Sequence, residues 1–111
     1  MKLNTLGLPL CWGASLLMVA GIAQAQLPTT QQMLYVKSLA ATCASCHGTN
    51  GKVVEGSQVV SLAGLNKNYI VTQMNAFKAG TRPATVMHQI SKGYNDAQIE
   101  IIASYFAMQQ K

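Results

Sequence analysis

The sequence has 111 residues, a formal net charge of +5, 50% hydrophobic residues and only 10% charged residues. This length predicts a single domain. The basic residues are spread singly along the chain and aromatic residues make up only 6%, so the composition does not favour a nucleic-acid-binding protein.

The first 25 residues are typical of a secretory signal peptide. Lys2 precedes an apolar run over residues 6–23, which ends in Ala23-Gln24-Ala25. This ending places small residues at the two positions that a signal peptidase reads. We therefore predict cleavage before Gln26, export to the periplasm, and a mature domain of residues 26–111 with no membrane span.

A retained membrane anchor is the alternative interpretation of this segment, because residues 6–25 approach the ~20 residues that span a bilayer. Pro9 and several glycines interrupt the run, and its small-residue ending suits cleavage. Cys11 would leave with the signal, so the mature domain keeps two cysteines. A domain of this size builds a thin core and commonly relies on a disulfide, a metal or a cofactor.

The mature chain begins with an extended lead-in over residues 26–30. Good helix formers without glycine or proline then predict a helix over residues 32–44. The sequence His47-Gly48-Thr49-Asn50-Gly51 predicts a turn, because glycine and asparagine tolerate the backbone angles of turns. Residues 52–66 show no sustained period and indicate a loop that packs against an apolar surface.

A second helix is predicted over residues 68–79, with Gly80 as its stop. Ile70, Met74 and Phe77 stand at i, i+4 and i+7, on one face of this helix. Residues 81–83 predict a turn, and residues 86–92 a short helical turn that ends at Gly93.

The last predicted helix begins at Asn95, an N-cap with Gln98 three residues later. Its buried stripe comprises Ile99, Ile102, Ala103 and Phe106. The fold class is therefore all-α, with three main helices, long loops and no convincing sheet.

Cys43-Ala44-Ser45-Cys46-His47 carries the chemistry of the chain, and three interpretations compete. A redox dithiol belongs to a strand-helix context that the pattern lacks. A structural zinc site needs four ligands, and adjacent Cys46 and His47 project in different directions. C-x-x-C-H is the attachment signature of c-type haem, in which both thiols add to porphyrin vinyl groups and the histidine ligates the iron.

The second axial ligand is predicted to be Met87, which follows the irregular stretch of residues 80–85. His88 is the competing ligand, and an open site is the third possibility. The other mature methionines are assigned to packing; these are Met33, Met74 and Met108. Histidine–methionine ligation raises the reduction potential and suits electron transfer.

These features resemble the class I c-type cytochromes: CASCH at 43–47, the methionine at 87 and a closing helix that ends "IIASYFA". More narrowly, residues 61–107, with "AFKAGTRPATVMHQISKGYNDAQI" at their centre, resemble the cytochrome subunit of flavocytochrome c sulfide dehydrogenase. The haem motif and last helix are shared with the cytochrome c4 and c553 carriers. The resemblance implies a small class I cytochrome c-like fold around one covalent haem c.

The resemblance also implies the site residues. Cys43 and Cys46 would form the thioethers, His47 would be the proximal ligand and Met87 the distal one. The chain departs from many relatives in having a single C-x-x-C-H, which implies a monohaem form. It also has Val60 where relatives often have proline, in the segment that supports the proximal histidine.

One haem iron accepts one electron, whereas oxidation of sulfide to elemental sulfur releases two. The chain is therefore not catalytic alone, and the resemblance implies an FAD-containing flavoprotein partner and a redox protein as acceptor. The alternatives are a free carrier that supplies a terminal oxidase and a haem enzyme or sensor with an open iron. Arg82 is either a partner of a haem propionate or a solvated turn arginine.

Overall fold

The computed structural model describes residues 28–111. Within this range the chain forms four α-helices and two short 3₁₀ turns, and no strand. The α-helices are α1 (Thr30–His47), α2 (Lys67–Ala79), α3 (Met87–Ile90) and α4 (Asp96–Ala107), and the 3₁₀ turns are Thr49–Gly51 and Ser91–Gly93. The all-α prediction with three main helices is confirmed. The predicted signal peptide lies outside the described residues.

Helix α1 is longer at both ends than the predicted 32–44. Thr29 is its N-cap and forms a capping box with Gln32. At the other end the helix continues through the cysteine motif to His47 and stops at Gly48, which has φ 81° and ψ 160°. This backbone conformation is essentially restricted to glycine, so the helix ends directly after the motif.

The N-terminus of α4 and the C-terminus of α2 follow the predicted signals, whereas the N-cap of α2 was not predicted. Asn95 and Gln98 form the predicted capping box of α4. Asn66 accepts hydrogen bonds from the first turn of α2, and Gly80 ends that helix in the left-handed conformation. These local signals fix the positions at which α2 and α4 begin.

The core lies where α4 crosses α1 and α2. It is formed by the predicted α4 stripe with Ala40, Ile70 and Met74. Phe77, the third residue of the predicted α2 stripe, is only partly buried and lines a cavity next to the core. The α2 stripe therefore serves both the core and that cavity.

The packing role predicted for three methionines holds for one of them. Met74 is 6% exposed and lies in the core. The prediction is wrong for Met33 and Met108, which are 48% and 75% exposed. Met33 lies in the first turn of α1, and Met108 caps α4 after its last turn, so both extend beyond the crossing of the helices.

The loop over residues 52–66 packs its Leu62 and Leu65 against the core, as predicted, and it also returns to the end of α1. The backbone N–H groups of Leu62 and Ala63 donate to the Gly51 carbonyl at 2.7 and 3.1 Å, and Ala63 is buried. The Gly64 N–H donates to the Phe106 carbonyl at 2.9 Å. These bonds bring residues 59–62 beside the cysteine motif. Across residues 28–111, no helix is long and apolar enough to cross a membrane.

Candidate haem site

A cavity of about 450 Å³ opens between the end of α1, the loop, α2 and α3. Its volume falls within the ~300–1,000 Å³ typical of ligand pockets. All four predicted site residues line it: Cys43, Cys46, His47 and Met87. The remaining lining is largely aliphatic and aromatic. The fold thus gathers the predicted thiols, imidazole and thioether around one apolar space.

The two cysteines lie in the last turns of α1. Their i, i+3 spacing puts both thiols on one side of the helix, toward the cavity. Both are free thiols. Burial raises the pKa of the Cys43 thiol above its usual value, and a side-chain hydrogen bond with Thr42 partly opposes this. Cys46 is exposed.

The His47 imidazole is oriented by a backbone carbonyl. Its Nδ1 lies 2.7 Å from the carbonyl oxygen of Val60. Because a carbonyl oxygen only accepts, Nδ1 carries the hydrogen and Nε2 keeps a free lone pair. A bond of this kind fixes the tautomer and orientation of metal-binding histidines. The acceptor is a backbone carbonyl, so Val60 provides it independently of its side chain.

Met87 and His88 are adjacent in sequence, but only Met87 lines the cavity. Met87 begins α3, is partly buried, packs against the core and lines the cavity. His88 is not among the residues that line it. Met74 is the other methionine that lines the cavity, from its buried position on α2. Two methionine thioethers, those of Met74 and Met87, therefore line the cavity.

Two long-range polar contacts near the cysteine motif were not predicted. The Tyr94 hydroxyl hydrogen-bonds Thr42 Oγ1, which lies next to Cys43, and Thr42 Oγ1 also lies 2.8 Å from the Leu39 carbonyl. Since the Thr42 hydroxyl donates to that carbonyl, Tyr94 is the donor to Thr42. The second contact joins the Tyr105 hydroxyl to Asn50 Oδ1 at 2.7 Å. Both span more than fifty residues, so no local pattern could have identified them.

The side chains around the cavity fit only one of the three interpretations of the cysteine motif, the attachment of haem. Among the described residues, no three His, Cys, Asp or Glu side chains converge as a metal-binding group, which counts against a zinc site. The chain forms no sheet within this range, so the thioredoxin-like context is missing. Two thiols at one wall, an imidazole with a free Nε2 and a thioether around an apolar cavity suit a covalently attached haem.

The fold and the site together define a small, all-α c-type haem protein that transfers electrons. The family model for cytochrome c matches residues 34–109, and the chain belongs to this family. It binds haem c covalently, and the pair Cys43 and Cys46 fits the attachment motif.

The chain is similar in sequence to several named electron-transfer proteins. The chain is 41% identical over 79 residues to the cytochrome subunit of sulfide dehydrogenase from Chlorobaculum tepidum, which covers 71% of this chain and 68% of that relative. It is 37% identical over 68 residues to a thiosulfate dehydrogenase electron acceptor from Stutzerimonas stutzeri, covering 59% of this chain and 31% of the relative. It is 34% identical over 71 residues to cytochrome c4 of Pseudomonas aeruginosa, covering 64% and 35%. The chain thus spans about a third of the length of the latter two proteins.

Proposed function

We propose that this chain is a monohaem electron-transfer subunit that accepts single electrons from a flavoprotein of the sulfide dehydrogenase kind. The observation that carries the proposal is the 41% identity, over 79 residues, to a sulfide dehydrogenase cytochrome subunit. The haem iron, when bound, supplies one-electron redox chemistry. A two-electron oxidation of sulfide therefore requires a second cofactor, which we assign to an FAD-containing partner chain.

Within this proposal His47 and Met87 would hold the haem iron as its two protein ligands. His47 is supported by the hydrogen bond that leaves its Nε2 free. Met87 is favoured over Met74 because it follows an irregular segment that can adjust over a flat cofactor, whereas Met74 is held within α2 and the core. Two protein ligands leave no open iron position, which favours electron transfer over oxygen chemistry.

We also propose that residues 1–25 are an export signal, that the mature chain begins at Gln26, and that the protein works in the periplasm. The composition of the segment and its small-residue ending support this. Intact-mass spectrometry of the native protein should give the mass of residues 26–111, with Gln26 unmodified or cyclised, plus one haem. A mass that includes residues 1–25 would contradict cleavage.

A second candidate function is a free carrier that delivers electrons to a terminal oxidase. Relatives named as an electron acceptor of thiosulfate dehydrogenase and as cytochrome c4 favour it. A carrier binds each partner transiently through dispersed charges, so its reaction rates should fall steeply with ionic strength. A subunit in a lasting complex should show little such dependence.

Size-exclusion chromatography of the native protein, followed by haem and flavin absorbance together, distinguishes the two functions. Co-elution of haem and flavin at several times the mass of this chain supports the subunit. Elution of haem alone near the monomer mass, repeated after chemical cross-linking to retain weak complexes, supports the carrier.

A further inference from the structure

Arg82 is the only lysine or arginine among the described residues that line the cavity. It follows α2 by three residues and precedes Met87 by five. The cationic side chains that do not line the cavity include Lys37, which is exposed on α1. The cavity therefore has one fixed positive charge at its wall.

The guanidinium of Arg82 is held in place by α2. Its Cζ lies 4.6 Å from the centroid of the Phe77 ring, and Nη1 donates to Gln73 Oε1. The Arg82 backbone N–H donates to the Ala76 carbonyl at 3.2 Å. Both Gln73 and Phe77 line the cavity as well. Arg82 is exposed, but these contacts restrain its side chain at the rim of the cavity, and most of the five guanidinium N–H donors remain available.

The group that needs such a donor is the haem itself, because its macrocycle carries two propionate carboxylates. Arginine matches a carboxylate with two parallel N–H donors, and a preorganised guanidinium loses less entropy on pairing than a free one. We propose that Arg82 binds a haem propionate and thereby raises the reduction potential of this protein. The proposal rests on haem attachment and not on the identity of the redox partner.

The positive charge of Arg82 explains why it would raise, and not lower, the reduction potential. Reduction adds an electron to the haem, so an uncompensated carboxylate near the iron favours the oxidised state. Arg82 compensates that carboxylate and favours the reduced state. A nearby guanidinium also favours the ionised carboxylate and lowers the pKa of the propionate. The potential of the native protein should therefore stay independent of pH down to a lower pH than that of a variant without this charge.

The test is a redox titration of the isolated holoprotein across pH, comparing the native chain with Arg82→Gln and with the control Lys37→Gln. Both substitutions remove one positive charge. Arg82→Gln should lower the potential at neutral pH more than Lys37→Gln does and should move the onset of pH dependence to higher pH. Equal effects of the two substitutions on both properties would overturn the proposal.

A second measurement needs no variant. In the reduced, diamagnetic native holoprotein, proton NMR should show nuclear Overhauser contacts between the Arg82 side chain and the methylene groups of one propionate. Their absence, with the Arg82 and propionate signals assigned, would contradict the proposal. Absorption bands that report methionine ligation are recorded alongside, so that loss of the Met87 ligand is recognised separately. Neither measurement involves a flavoprotein, so failure of the proposed function would leave the result unaffected.

Discussion

At the residue scale, the hydrogen bond from His47 Nδ1 to the Val60 carbonyl determines which imidazole nitrogen can bind a metal. The motif identifies His47, but its acceptor comes from the loop thirteen residues later. Because the acceptor is a backbone carbonyl, the identity of the side chain at position 60 is not critical.

Replacement of Met87 by alanine tests the proposal that Met87 is the distal ligand. We expect Met87→Ala to lose the absorption signature of methionine–iron ligation and to lower the reduction potential, because methionine ligation raises it. The measurement is an absorption spectrum of the oxidised holoprotein together with a redox titration.

Two other methionines serve as controls for this variant. Met74→Ala should keep the ligation signature but lower the free energy of unfolding by about 2–5 kcal/mol, as expected for truncation of a buried methionine. Met108→Ala, at an exposed position, should change neither property. Loss of the signature in Met74→Ala and its retention in Met87→Ala would reassign the ligand.

At the scale of elements, the end of α1 fixes the position of the haem-binding segment. A Cβ at Gly48 would lie 2.1 Å from the Lys52 carbonyl oxygen, in a backbone conformation that side chains do not adopt. A Cβ at Gly80 would meet nothing within 4 Å, although φ is positive there too. Both glycines adopt a positive φ that ends the helix. At Gly48 a side chain would in addition collide with the Lys52 backbone.

Alanine substitutions should separate these two glycines. Gly80→Ala should lower the free energy of unfolding by about 1–2 kcal/mol, the cost of a left-handed alanine. Gly48→Ala should lower it by clearly more, because the Lys52 backbone must also move. Thermal unfolding of both variants provides the measurement, and equal destabilisation would show that the clash at Gly48 is relieved without cost.

The bond between Tyr94 and Thr42 connects the segment before α4 to the cysteine turn. Tyr94→Phe should lower the free energy of unfolding by about 0.5–1.5 kcal/mol, the net worth of a typical hydrogen bond. Thr42→Val, added to Tyr94→Phe, should cost less than it does in the native chain, since the partner is already gone. Additive losses in this double-mutant cycle would indicate that the two hydroxyls do not interact.

Much of the fold was predictable because its signals are local. The apolar stripe of α4, its Asn95–Gln98 capping box and the Gly80 stop each involve residues a few positions apart. The contacts that complete the site are not local: Val60 reaches His47 across a loop, and Tyr94 reaches Thr42 across most of the domain. Tertiary packing sets these pairs, so hydrophobic periodicity and caps carry no information about them.

At the scale of the whole molecule, the charges are dispersed and partly paired. Lys67–Glu100 at 2.7 Å and Lys78–Asp96 at 3.0 Å both join α2 to α4. They are exposed pairs, worth about 0–1 kcal/mol each. They leave Glu55 as the one acidic side chain of the described residues without an ion pair. The described residues therefore carry a mild excess of positive charge.

The salt dependence of haem reduction by the proposed flavoprotein partner tests whether the chain is a lasting subunit or a carrier. For a subunit in a lasting complex, the rate of haem reduction should change little between low and physiological ionic strength, because electron transfer occurs within the complex. Stopped-flow measurement at several salt concentrations provides the test. A steep fall of the rate with salt would favour the transient carrier.

Anaerobic addition of sulfide is the most direct test of the proposed function, with the haem spectrum followed in the presence and absence of the flavoprotein. We predict rapid haem reduction with the partner, with two cytochrome chains reduced for each sulfide oxidised to elemental sulfur when the cytochrome is in excess. The isolated cytochrome should be reduced far more slowly. Equally fast reduction of the isolated cytochrome, or no reduction with the partner present, would contradict the function proposed for this protein.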